Sequence, residues 1–376
     1  MNAHFQKTLR EANGKTLGIS LLLKARVKIE GVLVDVAQIA SVKALAEQLL
    51  RRGQRLDAVV WNAGIGGWTG LNWFRAIWTM STDPVQAATW PTYQYSDKGA
   101  VVEQKGGAIK GSGTAEEEPV LGQVFAANVF GHYMLTHWLR PLFDSSSRIV
   151  WIGSISAMPD FFSQEDMQCL RSPDAYESSK RLTDLLVLTS ELPSTAPYMR
   201  SFLPNASADA ETRPKMYIAH PGILATSMSN LNIIMSYMML LSFYLVRWLG
   251  SPWHTVTAYK AAVSTCFCAL APEPQLADLE VRDGKGKWGS AISAGGDERV
   301  VRTEVQGWGF CGEVGKVPAG SVSGSKGRKR GMKETGKEAR EEFEVLGRSV
   351  WAEMEELRQV WEARVGKVDV RDSEDL

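Results

Sequence analysis

The sequence predicts an α/β fold: a doubly wound parallel sheet covered by helices on both faces. Three observations carry this. Short, branched apolar runs alternate with segments whose apolar residues recur at helical spacing. The intervals between the runs suit βαβ units. The runs themselves are almost continuously apolar, as strands buried on both faces are. The chain has 376 residues, 44% of them hydrophobic, which allows one large domain or two ordinary ones with a sizeable core.

In chain order, "RVKIEGVLVDV" (26–36) reads as a buried strand. "IASVKALAEQLLRR" follows with helical periodicity, and Gly53 behind it is a stop signal. "LDAVVWNAGIGGWTG" (56–70) supplies the next strand, and its glycines raise the question of a nucleotide loop. Their spacing misses G-x-G-x-x-G, and tryptophans rather than a clean helix start come next. "LGQVFAANVFGHYMLTHWLRPLF" is a long helix ending near Pro141, "SRIVWIGSIS" a strand, "AYESSKRLTDLLVLTSEL" a helix, and "KMYIAHPG" a strand with a sharp stop.

Two regions interrupt the pattern. Residues 96–118, rich in Gly, Lys and Glu, are expected to be a mobile loop. Residues 311–338 are similar and are expected to be a flexible linker; their basic run "GRKR" (327–330) reads as solvated linker in preference to a targeting patch. The body of the fold is then 1–310, and residues 339–366 form an amphipathic helix that docks on something.

Composition excludes some functions. Lys+Arg and Asp+Glu are 42 each, so the net charge is zero and nothing draws the whole chain to nucleic acid. Cys169, Cys266, Cys268 and Cys311 form no C-x-x-C pair and no metal spacing. That argues for a reduced, intracellular chain with no metal site. The start "MNAHFQKTLREANGKT" lacks the apolar core of a signal peptide.

"YESSK" carries the chemistry. Tyr176 and Lys180 are four residues apart and share a helix face. An ammonium beside a phenol favours the phenolate, so the Tyr176 pKa is expected to fall, making it a usable proton donor to a carbonyl oxygen. Ser154 would lie at the carboxyl end of the strand "WIGSIS", where open parallel sheets bind ligands. A hydroxyl there can hold a carbonyl oxygen as charge develops on it.

With "NAG" at 62–64, Asn128 in "NVFGHYML" and "HPGILAT" at 220–226, these motifs resemble, in order, those of the short-chain dehydrogenase/reductase family. The resemblance implies a Rossmann-type fold and a catalytic tetrad of Asn128, Ser154, Tyr176 and Lys180. In it Tyr176 donates the proton, Lys180 lowers its pKa and holds the nicotinamide ribose, Ser154 orients the carbonyl, and Asn128 anchors a water. It also places Asp35 at the adenine, Asn62, Ala63 and Gly64 beside the adenine ribose, and Pro221, Gly222 and Thr226 along the nicotinamide. Asn62 would tie neighbouring strands together. Ser154 and Tyr176 stand 22 residues apart, where the family has roughly a dozen. The insert "AMPDFFSQEDMQCLRSPDA" is thus expected to loop out beside the substrate, with Ser156 the fallback for the serine.

Longer stretches, "NAGIGGWTGLNW", "ATWPTYQ", "NVFGHYMLTHWLRPL", "YESSKRLTDLLVLTSELPSTAP" and "RWLGSPWHT", resemble the fungal 3-keto-steroid reductases of ergosterol synthesis. This implies NADPH-dependent reduction of a 3-keto sterol to the 3β-alcohol during C-4 demethylation. It also implies an endoplasmic reticulum membrane or lipid-droplet location, and partners among the other C-4 demethylation enzymes. Two alternatives stand beside it: a non-catalytic scaffold of a membrane sterol complex, and a reductase of another lipid ketone. Trp68, Trp73, Phe74, Trp78 and Trp90 either cover a bulky apolar substrate or membrane surface, or pack in a core. "IIMSYMMLLSFYLV", within an apolar segment at 231–250, has 14 residues, short of the ~20 that span a bilayer. It is a buried helix over the substrate pocket, an interfacial anchor, or a tilted span; pocket helix with membrane contact is preferred.

The family begins with a strand, T-G-x-x-x-G-x-G and a helix, and that turn holds the pyrophosphate. Before Arg26 stand only isolated Gly14 and Gly18. The expectation is therefore a fold lacking its first βαβ unit, through an internal start methionine or true truncation, with a C-terminal helical extension.

Overall fold

The computed structural model describes residues 26–105, 119–203, 213–225, 232–272 and 274–368. Most of the 96–118 loop, Thr226 and the start of the 231–250 segment lie outside the described residues. The chain divides into two compact units, Met1–Val34 and Asp35–Leu376. In the first, residues 27–34 form no strand and are exposed, with Leu33 fully so. This corrects the strand read at 26–36. A strand exists through its neighbour's hydrogen bonds, and no strand ladder among the described residues includes 27–34.

In the second unit, α1 (Ile39–Arg52) starts where the Gln104 side chain accepts from Ile39 N at 2.8 Å and stops at left-handed Gly53. There follow β1 (Ala58–Trp61), β2 (Trp68–Leu71), α2 (Trp73–Thr82), α3 (Pro84–Thr89) and β3 (Gln94–Ser96). One helix, α4, is built from Gln123–Phe125, a π turn over Ala126–Phe130, and Gly131–Trp138. Next come β4 (Arg148–Ile152), α5 (Ala175–Thr189), α6 (Ala196–Phe202), β5 (Lys215–His220), α7 (Ile233–Trp248), α8 (Ala258–Ala261), α9 (Val263–Leu270) and α10 (Gln275–Asp283). Last are β6 (Lys287–Ile292), β7 (Glu298–Thr303) and α11 (Lys337–Val365).

The main sheet has the order β1-β4-β5-β6-β7, its first four strands parallel. Helices α4 and α5 cover one face and α9 the other, so the α/β doubly wound class holds. The fifth strand departs from the sequence reading. β7 returns antiparallel through a tight hairpin in which Ser293 N donates to Asp297 O at 2.9 Å. β1 is the edge of the described sheet and is accordingly half exposed. β2 and β3 make a separate antiparallel ribbon.

A fourth layer lies outside α5. Helix α11 packs along it, burying Phe343, Val350, Trp351, Met354 and Trp361. The approach is close enough that a Cβ on Gly347 would stand 2.5 Å from Thr189 Cγ2. This is why α5 is buried on nearly all sides from Glu177 to Thr189. The 311–338 stretch that leads into α11 is irregular but tied down. Arg328 pairs with Glu304, Arg330 with Asp83 and Lys329 with Asp160, and Val322 packs against Trp253. The GRKR run is therefore a strap rather than a freely solvated linker.

Helix α7 is little buried. Of its 16 residues only Val246 is buried, while Ile233, Ile234, Tyr237, Leu241 and Trp248 are exposed. A run expected to be a pocket helix with membrane contact thus turns many of its apolar side chains outward. Among the described residues no helix is long and apolar enough to cross a membrane.

Candidate active site

The site is assembled at the carboxyl ends of β4 and β5 by the first turns of α5 and the π turn of α4. Parallel strands end here in backbone that side chains must complete, the usual place for a ligand in such sheets. Ser154 follows β4 directly. Its Oγ accepts from Ser156 N at 3.1 Å and shares a hydrogen bond with the Tyr176 phenol. The hydroxyl that meets Tyr176 is therefore that of Ser154, and Ser156 contributes backbone.

Tyr176 lies in the first turn of α5, its ring 4.9 Å from Trp68 on β2. Lys180, one turn on, places Nζ 5.6 Å from the centre of the Tyr176 ring and donates to Ile152 O at 2.8 Å. The titration of the pair differs from the sequence expectation. Burial pushes the Tyr176 phenol up to about 12, opposed by the Ser154 hydrogen bond and reinforced by Glu177. Burial, aided by Lys287, brings Lys180 down to about 8. The nearby ammonium is present, but removing the phenol from water outweighs it.

Asn128 sits in the π turn, a distortion that commonly marks functional sites. It is buried, accepts from Ile65 N at 2.8 Å and donates to Ile65 O at 3.0 Å and Ser179 Oγ at 3.0 Å. Those bonds lock the loop after β1 to α4. They also require the glycine of "NAG", because a Cβ on Gly64 would stand 2.8 Å from Asn128 Oδ1. Asn62 and Ala63 are exposed at the end of β1. Asp35 is exposed and caps the approach to α1 through Ala37 N and Oδ1 at 3.0 Å. At the end of β5, Gly222 has φ of 71°, and a Cβ there would lie 2.4 Å from Trp253 O. Only glycine fits such a position without strain. Pro221 beside it is half buried.

Ser154, Tyr176, Lys180 and Asn128 thus converge, with Pro221 and Gly222 on the adjoining strand end; Asp35, Asn62 and Ala63 stand on separate turns. The insert between Ser154 and Tyr176 does not loop freely. It makes two short turns and is bonded to the segment before α4 through Gln168, whose Oε1 accepts from Gly122 N at 2.7 Å. The aromatic insertion divides. Trp68 lies on Tyr176, Trp90 packs with Ile155 and Trp253, and Trp73, Phe74 and Trp78 are exposed. Sequence reasoning missed Glu177, buried beside Tyr176 with its carboxyl pushed up to about 7 by burial. It also missed the Asp184–Lys287 pair behind Ser154. Asp184 was visible as a carboxylate in an apolar run, one turn beyond Lys180; Lys287 gave no such signal.

As chemistry, a half-buried phenol and hydroxyl beside a buried ammonium at one sheet end can hold an oxygen, deliver a proton to it and steady the anion left behind. The same donor set fits the ribose and nicotinamide end of a dinucleotide. Among the described residues no glycine-rich strand-to-helix turn adjoins it. No metal-binding cluster of His, Cys, Asp and Glu occurs among the described residues.

No family model matches the chain, but curated relatives do. The 3-keto-steroid reductase of Aspergillus fumigatus is 40% identical over 368 residues, covering 92% of this chain and 80% of its own. That of Gibberella zeae is 35% identical, covering 91% and 78%. That of Schizosaccharomyces pombe is 33% identical over 75% and 73%. These relationships establish that the chain belongs to the fungal 3-keto-steroid reductase family.

Proposed function

We propose that the chain reduces the 3-ketone of a sterol intermediate to the 3β-alcohol with NADPH, a step of sterol C-4 demethylation. One observation carries the reading: Ser154, Tyr176 and Lys180 converge in a chain 40% identical to a 3-keto-steroid reductase. NADPH, when bound, supplies hydride to the carbonyl carbon. Lys180, Pro221 and Gly222 are the residues that would hold its nicotinamide end.

The protein does the rest. Ser154 donates to the ketone oxygen and orients it. Tyr176, held protonated across the neutral range by burial, passes its proton to that oxygen as it becomes an alkoxide, a far stronger base than a phenolate. Lys180, still largely protonated at neutral pH with a pKa of about 8, steadies the phenolate that remains. Asn128 keeps the β1 loop and α4 in register around the relay. Trp68 covers the Tyr176 ring and excludes water from it.

The outward apolar residues of α7 (Ile234, Tyr237, Leu241, Trp248) and of α2 (Phe74, Ile77, Trp78) support contact with an endoplasmic reticulum or lipid-droplet surface, where a sterol ketone partitions. The purified chain is mixed with NADPH and a 3-keto sterol, absorbance is followed and the product identified. A 3β-alcohol formed in step with NADPH loss is the expected result; no turnover of any 3-keto sterol overturns the reading. In flotation with phospholipid vesicles the chain should rise with lipid, and Leu241→Asp with Trp248→Asp should not.

A further inference from the structure

A second lysine lies directly beneath the serine turn. Lys287, the first residue of β6, is 2% exposed. Its Nζ meets both oxygens of Asp184 at 2.8 Å and donates to the carbonyl oxygen of Ser154 at 2.5 Å. Lys180 holds the carbonyl of Ile152 in the same way at 2.8 Å. The two ammonium groups therefore grip carbonyls on either side of Gly153. That glycine has no room to spare: a Cβ would stand 3.1 Å from Ile218 Cδ1, 3.1 Å from Lys287 Cε and 3.2 Å from Asp184 Oδ1. Tyr176, Lys180 and Asp184 follow one another at four-residue steps along one face of α5.

The surrounding charges are few. Lys180 faces Lys287, Asp184, the Tyr176 phenol and His132. Lys287 faces Asp184, Lys180, Arg181 and His220. Burial lowers both histidines, so they are neutral at physiological pH. What remains is three cations around one carboxylate, in a place where breaking a buried pair is strongly unfavourable. The grip on Ser154 is correspondingly rigid.

We propose that Lys287 and Asp184 are positioning residues of the reductive step: they fix the Ser154 carbonyl, and hence the aim of its hydroxyl at Tyr176, and they set the electrostatic setting of Lys180. The inference rests on the functional reading above for its kinetic consequence, but not for its electrostatic one. Lys287 disfavours the charged form of Lys180 and Asp184 favours it, so removing each moves the Lys180 titration in opposite directions. The kcat and KM readout, with rescue by Lys287→Arg, separates a positioning pair from a merely structural one.

The test compares wild type with Lys287→Met, Lys287→Arg and Asp184→Asn. Lysine-labelled protein is titrated by NMR, with Lys180 assigned by its loss in Lys180→Met, and kcat and KM are measured against pH with NADPH and a 3-keto sterol. Lys287→Met is expected to raise the Lys180 midpoint and to lower kcat about 10- to 100-fold, the effect of misplacing one group by about an ångström, with KM little changed. Asp184→Asn is expected to lower that midpoint, and Lys287→Arg to recover most of the lost kcat. An unmoved Lys180, shifts of the same sign in both variants, or full kcat in folded Lys287→Met overturns the inference. If Lys287→Met does not fold, isosteric Asp184→Asn decides: an unmoved Lys180 midpoint is then the contrary result. Should wild type reduce no sterol, the functional reading fails while the titration still judges the electrostatic claim.

Discussion

Replacing Trp351 by Ala probes the outermost layer of the fold. The Trp351 side chain is fully buried between α11, α5 and α6. Its ring lies 5.5 Å from Phe202 and 5.9 Å from Tyr133, and its N–H reaches Leu186 O at 3.1 Å. Truncation of a buried Trp destabilises by about 3–5 kcal/mol. The lost hydrogen bond to Leu186 O lies within that range, because the net worth of one bond is about 1 kcal/mol. A loss of about 4 kcal/mol is therefore expected from urea unfolding followed by far-ultraviolet circular dichroism. The neighbouring Tyr133→Phe removes only the 2.6 Å bond to Glu355, which keeps Arg358 as partner. It should lower stability by about 1–2 kcal/mol. If Trp351→Ala unfolds within 1 kcal/mol of wild type, α11 does not form part of the cooperative core and the layer described here is wrong.

Lys180 also makes stability depend on pH. Its native pKa of about 8 lies below its ordinary value of 10.5, so between those limits the unfolded chain binds more protons. Stability then rises with pH across that window by up to about 3 kcal/mol, and is lost again as pH falls through 8. Thermal melts from pH 7.5 to 10.5 should show this rise in wild type in excess of Lys180→Met; parallel curves would contradict it. Gly222→Ala combines a left-handed φ with a Cβ 2.4 Å from Trp253 O. It should lower stability by at least about 2 kcal/mol, against a few tenths at an open position such as Gly336; equal melting temperatures would refute the steric reading.

What the sequence made legible follows from the range of each constraint. Tyr176 and Lys180 were readable because one helix fixes their relation, and Ser154 because a strand end in a parallel sheet has a known use. The titration of Tyr176 was not readable, since spacing supplies the neighbouring ammonium but not the burial that outweighs it. Lys287 lies far from Asp184 in the chain and reads as the start of an ordinary strand. Only the order of β4, β5 and β6 brings it under Ser154. The strand read at 26–36 failed because branched apolar composition describes what suits a sheet, while pairing decides whether one forms. Helix α7 was legible only in part: an apolar run marks a surface to be covered without saying whether protein or another apolar phase covers it.

The central claim is that Tyr176 gives the proton to the sterol oxygen. The direct measurement is kcat for reduction of a 3-keto sterol by Tyr176→Phe, a change that keeps the ring against Trp68 and removes one oxygen. A general acid of this kind contributes about 10²- to 10⁴-fold, so kcat should fall by at least about 100-fold while the melting temperature stays near that of wild type. Turnover within threefold of wild type would contradict the account.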